Sequence, residues 1–416
     1  MERERTRDRE DVDSRAMGVL TAGERALVAG VNGRLPTQAD LDWAEVLRLV
    51  HIHGVGPLVH RTWSSAGAAV PSEVLTELLL LRRQHAVRSM VSLRERDDAI
   101  RILGQAEIPC LVLKGGALAR RWYGDVSLRP IADVDLLVPR AEAVPAREAL
   151  LAAGYRASDE RFPSYHDPAL ERPGSPSSIE LHHGLTNLPG LRPLVFEDVC
   201  QLAITLDGPD ALVRTLGPED TLVHLCLHAL HHVAEDGGWT LLQLCDIVRH
   251  LRAFTIDWEL FLARARETGL GQGGMAVVSL ADLLCGPVVP ASHLDPEGAQ
   301  RLLAYPARQQ VLDGYFTHLH ALEAAEALDR MAWHEPFALL LRWLREPRSA
   351  AAGARSRLST TPPASRLRVL LREGGWLIRR RLGGSRLARD SLAQGITFVR
   401  RQRETAALVN DLLVPK

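Results

Sequence analysis

Residues Leu111–Val138 read LVLKGGALARRWYGDVSLRPIADVDLLV. A short apolar run from Ile108 to Leu113 predicts a buried strand, Lys114-Gly115-Gly116 a turn, and Ala117 to Tyr123 a helical turn or two. Strand, glycines, helix is the order that aims free backbone N–H groups at a phosphate, with Lys114 or Arg129 adding charge. A second apolar run, IADVDLLV from Ile131 to Val138, predicts another buried strand, closed by Pro139. Asp133 and Asp135 stand two apart on it, so they project from one face. Carboxylates held so close repel each other unless a cation neutralises them. Oxygen ligands of this kind suit Mg²⁺, and two such ions about 4 Å apart activate an attacking oxygen and neutralise a leaving pyrophosphate. A plain structural reading stays open beside this one, with Asp133 capping a turn, Asp135 paired to a base such as Arg129, and the glycines serving a tight turn.

Outward from this stretch the pattern is mainly helical. Upstream, helical spacing runs from Thr21 to about Val59, with Asp42 as N-cap before Trp43, and a long helix is predicted from Ser72 to about Gly104. Downstream, residues 143–153 predict a helix stopped by Gly154, then an irregular loop or hairpin over 158–178, then a strand Ser178–His182. After about Leu194 the pattern is helical almost to the end. Helices are predicted over Thr221–His232, over Trp239 to about Leu251, and from Asp257-Trp258, an echo of Asp42-Trp43. His224 and His228 share a helix face, as i,i+4 residues do. They read as packed histidines, a cleft contact or a zinc pair, although HxxxH without the glutamate of HExxH is a weak metal signal.

Glycines at a strand–helix junction, an Asp-x-Asp on the next strand and a third carboxylate later resemble the nucleotidyltransferase superfamily that includes DNA polymerase beta. The chain is closer still to the uncharacterised nucleotidyltransferase family with the patterns LKGxxL, RPxxDxDLLV and ELH. Here these are Leu113–Leu118, Arg129–Val138 and Glu180-Leu181-His182, and the Leu222–His228 run, Asp246 and Asp257-Trp258 resemble the family's helical part. The resemblance covers most of 30–280. It implies an α+β fold, with a small mixed-sheet nucleotidyltransferase core embedded in a mostly helical protein. It assigns Asp133, Asp135 and Glu180 to catalysis and to Mg²⁺ or Mn²⁺, and Lys114, Gly115, Gly116, Arg129 and His228 to the nucleotide. Many relatives carry Ser where this chain has Gly116, so a hydroxyl contact to phosphate is missing here. The implied reaction moves a nucleoside monophosphate from a nucleoside triphosphate, ATP by default, to an acceptor that is a small molecule, a protein or RNA. The alternatives are a catalytically inactive nucleotide-binding or protein-interaction relative, and a toxin-type or antibiotic-modifying enzyme of the same fold.

Composition bounds these readings. The chain has 416 residues, 46% of them hydrophobic, and a formal net charge of −1, enough for a core but with no overall electrostatic pull toward duplex DNA or an anionic bilayer. The five cysteines are scattered and show no CxxC, the N-terminus lacks an apolar signal core, and no apolar run is long enough for a transmembrane segment, so a cytoplasmic protein is expected. The expected division is a disordered 1–15, a helical region 16–104, the α/β core 105–193 and a helical domain 194–344. A flexible linker 345–365 and an arginine-rich amphipathic helical tail 366–416 follow, and residues 366–403 alone hold eleven arginines.

Overall fold

The computed structural model describes residues 18–304 apart from 39, 66–68, 159–167, 187–190 and 237–238. The expectations for 1–15, 345–365 and 366–416 lie outside the described residues. Among the described residues, four helices precede the sheet, between Ala22 and Gln105. α1 (Ala22–Val31) opens on a reciprocal cap in which the Thr21 hydroxyl accepts the Glu24 N–H and the Glu24 carboxylate accepts the Thr21 N–H. α2 (Trp43–His53) is capped by Asp42 as its sequence predicts, and stops at Gly54 in the left-handed region. After α3 (Gly56–Trp63) comes α4 (Ser72–Gln105), 34 residues and about 51 Å long at 1.5 Å per residue.

The α/β core follows in the order β1 (Leu111–Val112), α5 (Lys114–Tyr123), β2 (Asp133–Leu137), α6 (Ala143–Ala152), β3 (Arg156–Ala157), β4 (Leu170–Glu171) and β5 (Ser178–His182). Two further short strands, β6 (Ile204–Thr205) and β7 (Arg214–Thr215), lie in a stretch whose pattern reads as helical. They are too short to carry a period, and β7 is recruited by pairing with β1 rather than by its own sequence. The sheet order is β3-β4-β5-β2-β1-β7-β6, with β2 parallel to β5, β1 parallel to β7 and the remaining pairs antiparallel. The result is a small mixed sheet inside a mostly helical protein. Val134 and Leu136 of β2, with Ile179 and Leu181 beside them on β5, are at most 1% exposed, which fixes the register and commits Asp133, Asp135 and Glu180 to the other face.

α4 holds the approach to β2. The Ser89 and Ser92 hydroxyls donate to the carbonyls of Arg129 and Ile131, and the Ile131 N–H donates back to Ser89 Oγ. Arg96, 1% exposed, donates to the Gly116 carbonyl and to Asp210, each at 2.8 Å. A bare arginine could not sit this deep, and Asp97 and Asp210 neutralise it.

Beyond the sheet come α7 (Pro218–Asp236), α8 (Leu241–Ala253), α9 (Trp258–Thr268), α10 (Gly271–Cys285) and α11 (Pro296–Ala304). Asp257 caps α9 as Asp42 caps α2, so both Asp-Trp pairs mark helix starts. All five cysteines are free thiols. Among the described residues no helix is long and apolar enough to cross a membrane.

Candidate functional site

The site is assembled by two adjacent parallel strands and one helix start. In the β2–β5 register Asp135 stands opposite Glu180, with Asp133 one step back and His182 one step forward on the same face. Lys114 reaches this face from the first residue of α5. Its Nζ lies 3.0 Å from Asp135 Oδ1, and His182 Nε2 lies 2.9 Å from the same oxygen. His182 Nε2 is also 3.6 Å from Glu180 Oε2. One atom each of Asp135, Glu180 and His182 fall within 4.8 Å of one another, a spacing that suits a divalent cation. Asp133 is not one of these three, but its charge acts on theirs.

The titration behaviour follows from this crowding. Burial and the neighbouring Asp135 carboxylate raise the Asp133 carboxyl, against the pull of Lys114. Burial pushes Asp135 the same way, but Lys114 and His182 outweigh it and hold Asp135 below the usual carboxylate range. His182 moves oppositely to a merely buried imidazole, because its bonds to Asp135 and Glu180 offset desolvation and raise it.

The glycine turn differs in detail from its sequence reading. The helix begins at Lys114 rather than Ala117, because Lys114 itself takes the left-handed conformation (φ +47°) that the turn requires. A non-glycine residue there costs about 1–2 kcal/mol, the kind of local strain that accompanies functional sites. Gly115 is needed for a different reason: a Cβ on it would overlap the guanidinium of Arg129. At Gly116 a Cβ would meet only Val112 Cγ1 at 3.4 Å and Val134 Cγ1 at 3.8 Å, ordinary contacts.

Arg129 does not pair with Asp135. Its Nη2 lies 2.8 Å from Asp246 Oδ2, its Nε bonds the same carboxylate, and its Nη1 donates to the Pro130 carbonyl at 2.9 Å. Tyr123 O–H donates to Asp246 Oδ1 at 2.7 Å. Asp246 therefore orients a guanidinium. Burial works to lower the Arg129 pKa, but Asp246 outweighs it and raises it.

His228 is turned away from metal binding. Gln243 Oε1 accepts the Thr240 N–H in a helix cap, which leaves its amide nitrogen to donate to His228 Nδ1 at 3.3 Å. That tautomer carries its proton on Nε2, directed at His232 Nε2 3.2 Å away. Burial and the charge of Lys114 push His228 well below an ordinary histidine, and the same causes take His224 down to about 3. Both are neutral imidazoles on the α7 face toward Lys114, and neither belongs to the candidate metal cluster.

The structure thus brings together Lys114, Asp133, Asp135 and Glu180, lays Arg129 across Gly115, and sets His228 within the field of Lys114. It adds His182, which the sequence offers by the same i,i+2 rule that pairs the aspartates, since Glu180-Leu181-His182 lies on a strand. It also adds Tyr123, for which no local pattern exists, and gives Asp246, which the resemblance placed in the family's helical part, a partner in Arg129. The family model described as an uncharacterised nucleotidyltransferase matches residues 39–286, which include every one of these residues. The chain belongs to this family. The family lies within the nucleotidyltransferase superfamily of DNA polymerase beta. No curated protein and no solved structure matches the chain.

Proposed function

We propose that this family member transfers a nucleoside monophosphate from a nucleoside triphosphate, ATP by default, to an acceptor, with release of pyrophosphate. The observation that carries the reading is the convergence of Asp133, Asp135 and Glu180 on one sheet face beside Lys114 and the start of α5. Asp135, Glu180 and His182 fit a divalent cation by spacing and donor type, and Asp133 supplies a further carboxylate. Mg²⁺ or Mn²⁺ bound there would neutralise phosphate charge and lower the pKa of an attacking oxygen.

The chain's own residues supply the rest. Lys114 and the first amides of α5 bind the anionic triphosphate, as helix starts do. Arg129 offers its remaining N–H groups above Gly115. Glu180 takes the proton of the attacking acceptor group, since its side chain is 21% exposed against 3% for Asp135. Neutral His224 and His228 lie on α7 within the field of Lys114 and add no charge beside the anionic site. The acceptor is a small molecule, a protein or RNA.

Incubation with Mg²⁺ and each labelled nucleoside triphosphate tests this. The expected result is pyrophosphate release and a labelled acceptor in the wild type, and loss of both in D133A/D135A. Mass spectrometry of the acceptor identifies its class. Equal turnover in the double variant removes the assignment, and nucleotide binding without any transfer favours a catalytically inactive relative.

A further inference from the structure

The buried ion pair between Arg129 and Asp246 joins two parts of the sequence that share no motif. Arg129 precedes β2, whereas Asp246 lies on α8, 117 positions later. Both are deeply placed, with side-chain exposures of 13% and 3%. Desolvating such a pair makes it a poor source of stability, so its use is better sought in geometry.

Of the five guanidinium N–H groups, Nε and one on Nη2 go to Asp246 and one on Nη1 goes to Pro130. One hydrogen on Nη1 and one on Nη2 remain, and it is the Nη1 side of the guanidinium that lies over Gly115. The Tyr123 hydroxyl holds the other oxygen of Asp246, so the carboxylate cannot rotate without losing a bond. Tyr123 ends α5, the helix whose start carries Lys114, Gly115 and Gly116. Arg249 stacks over the Tyr123 ring at 5.3 Å, fixing the phenol from the α8 side.

We infer that Asp246 and Tyr123 are positioning residues for nucleotide binding, holding the Arg129 guanidinium over Gly115 so that its two remaining N–H groups meet a phosphate of the triphosphate. This rests on the nucleotidyltransfer reading of the site. Neither Asp246 nor Tyr123 touches the nucleotide, and both act through Arg129.

The test uses the full chain, Mg²⁺ and each of the four ribonucleoside triphosphates, with Kd from calorimetry and KM and kcat from pyrophosphate release. D246N keeps the side-chain shape and removes the charge. The expected result is a Kd and KM about 10-fold or more above wild type with kcat changed far less, as loss of a charge-assisted phosphate contact predicts. R129K should match it, and D246N/R129K should be no worse than R129K alone, because the two act as one unit. Y123F leaves no charge unpaired, so it serves if D246N fails to fold, and it should raise Kd by a smaller factor in the same direction. D246E, which restores the charge, should recover part of the loss.

Wild-type Kd and KM in both D246N and Y123F overturn the proposal, and so does a D246N that melts earlier yet binds nucleotide as the wild type does. Additive effects of D246N and R129K overturn it as well. A wild type that binds no triphosphate overturns the parent reading and this one with it, an outcome distinct from variants that bind normally.

Discussion

At the scale of single residues, Gly115 and Gly116 look interchangeable in the sequence and are not. Both lie in the first turn of α5 without a left-handed φ, so only their neighbours distinguish them. G116A places its methyl against Val112 and Val134 at ordinary contact distance. It should leave stability unchanged or raise it by up to about 1 kcal/mol, the usual helix gain over glycine. Nucleotide affinity should shift by less than about 3-fold, under 0.7 kcal/mol. G115A must displace the Arg129 guanidinium. Losing a hydrogen bond to a charged group costs about 1.5–3 kcal/mol, so affinity should fall about 10-fold or more. Thermal melts and nucleotide titrations of the two variants check this, and equal behaviour of the pair defeats it.

Among the elements, α8 joins the most functional connections. Gln243 and Asp246 are i,i+3 on it, so one helix face sets the tautomer of His228 and the position of Arg129. Four positions beyond Asp246, His250 donates from Nε2 to the Pro218 carbonyl at 2.8 Å, where α7 begins, and stacks edge-on against Trp122 of α5. Burial lowers its pKa from 6.5 to about 4. A histidine depressed in the folded state is neutral there while the unfolded chain binds a proton. The unfolded state therefore holds more protons between pH 6.5 and 4, and stability rises with pH across that window. The term is complete above pH 6.5, and about 3 kcal/mol is lost as pH falls through 4. Urea unfolding from pH 7.5 to 4.5 should show this decline, with His224 and His228 adding to it, and H250Q should flatten it; an unchanged slope in H250Q excludes His250 as a source. The elements themselves were largely legible, because Asp42, Asp257 and Gly54 mark helix ends locally and the β2 and β5 runs are apolar where buried. The two-residue strands β6 and β7 were not, since they exist by pairing. Nor was the Arg129–Asp246 pair, because a contact between residues 117 positions apart leaves no local trace. The carboxylates could be read because strand alternation puts them on one face, and His182 obeys the same rule.

For the molecule as a whole, the site is a place where separate parts of the chain are held against mutual repulsion. Lys114 follows β1, Asp133 and Asp135 come from β2, and Glu180 and His182 from β5. Asp133 feels both Asp135 and Glu180, so the fold carries an electrostatic cost that Lys114 relieves only in part. A divalent cation that binds the folded site and not the unfolded chain must then stabilise the whole molecule, by about 2.7 kcal/mol at one hundred times its Kd. The expected outcome is a Tm rise of a few degrees in millimolar Mg²⁺ or Mn²⁺, reversed by a chelator. Because His182 contributes nitrogen among the oxygens, Mn²⁺ should raise Tm more than Mg²⁺ at equal concentration. D135N and E180Q should each erase the ion-dependent shift while leaving a measurable melt, whatever they do to Tm without the ion. An identical shift in wild type and both variants means that the ion acts elsewhere, and the cluster is then a buried polar network instead of a metal centre. A wild type whose Tm ignores both ions at any concentration below screening strength leads to the same conclusion, since binding restricted to the folded state cannot leave its stability unchanged.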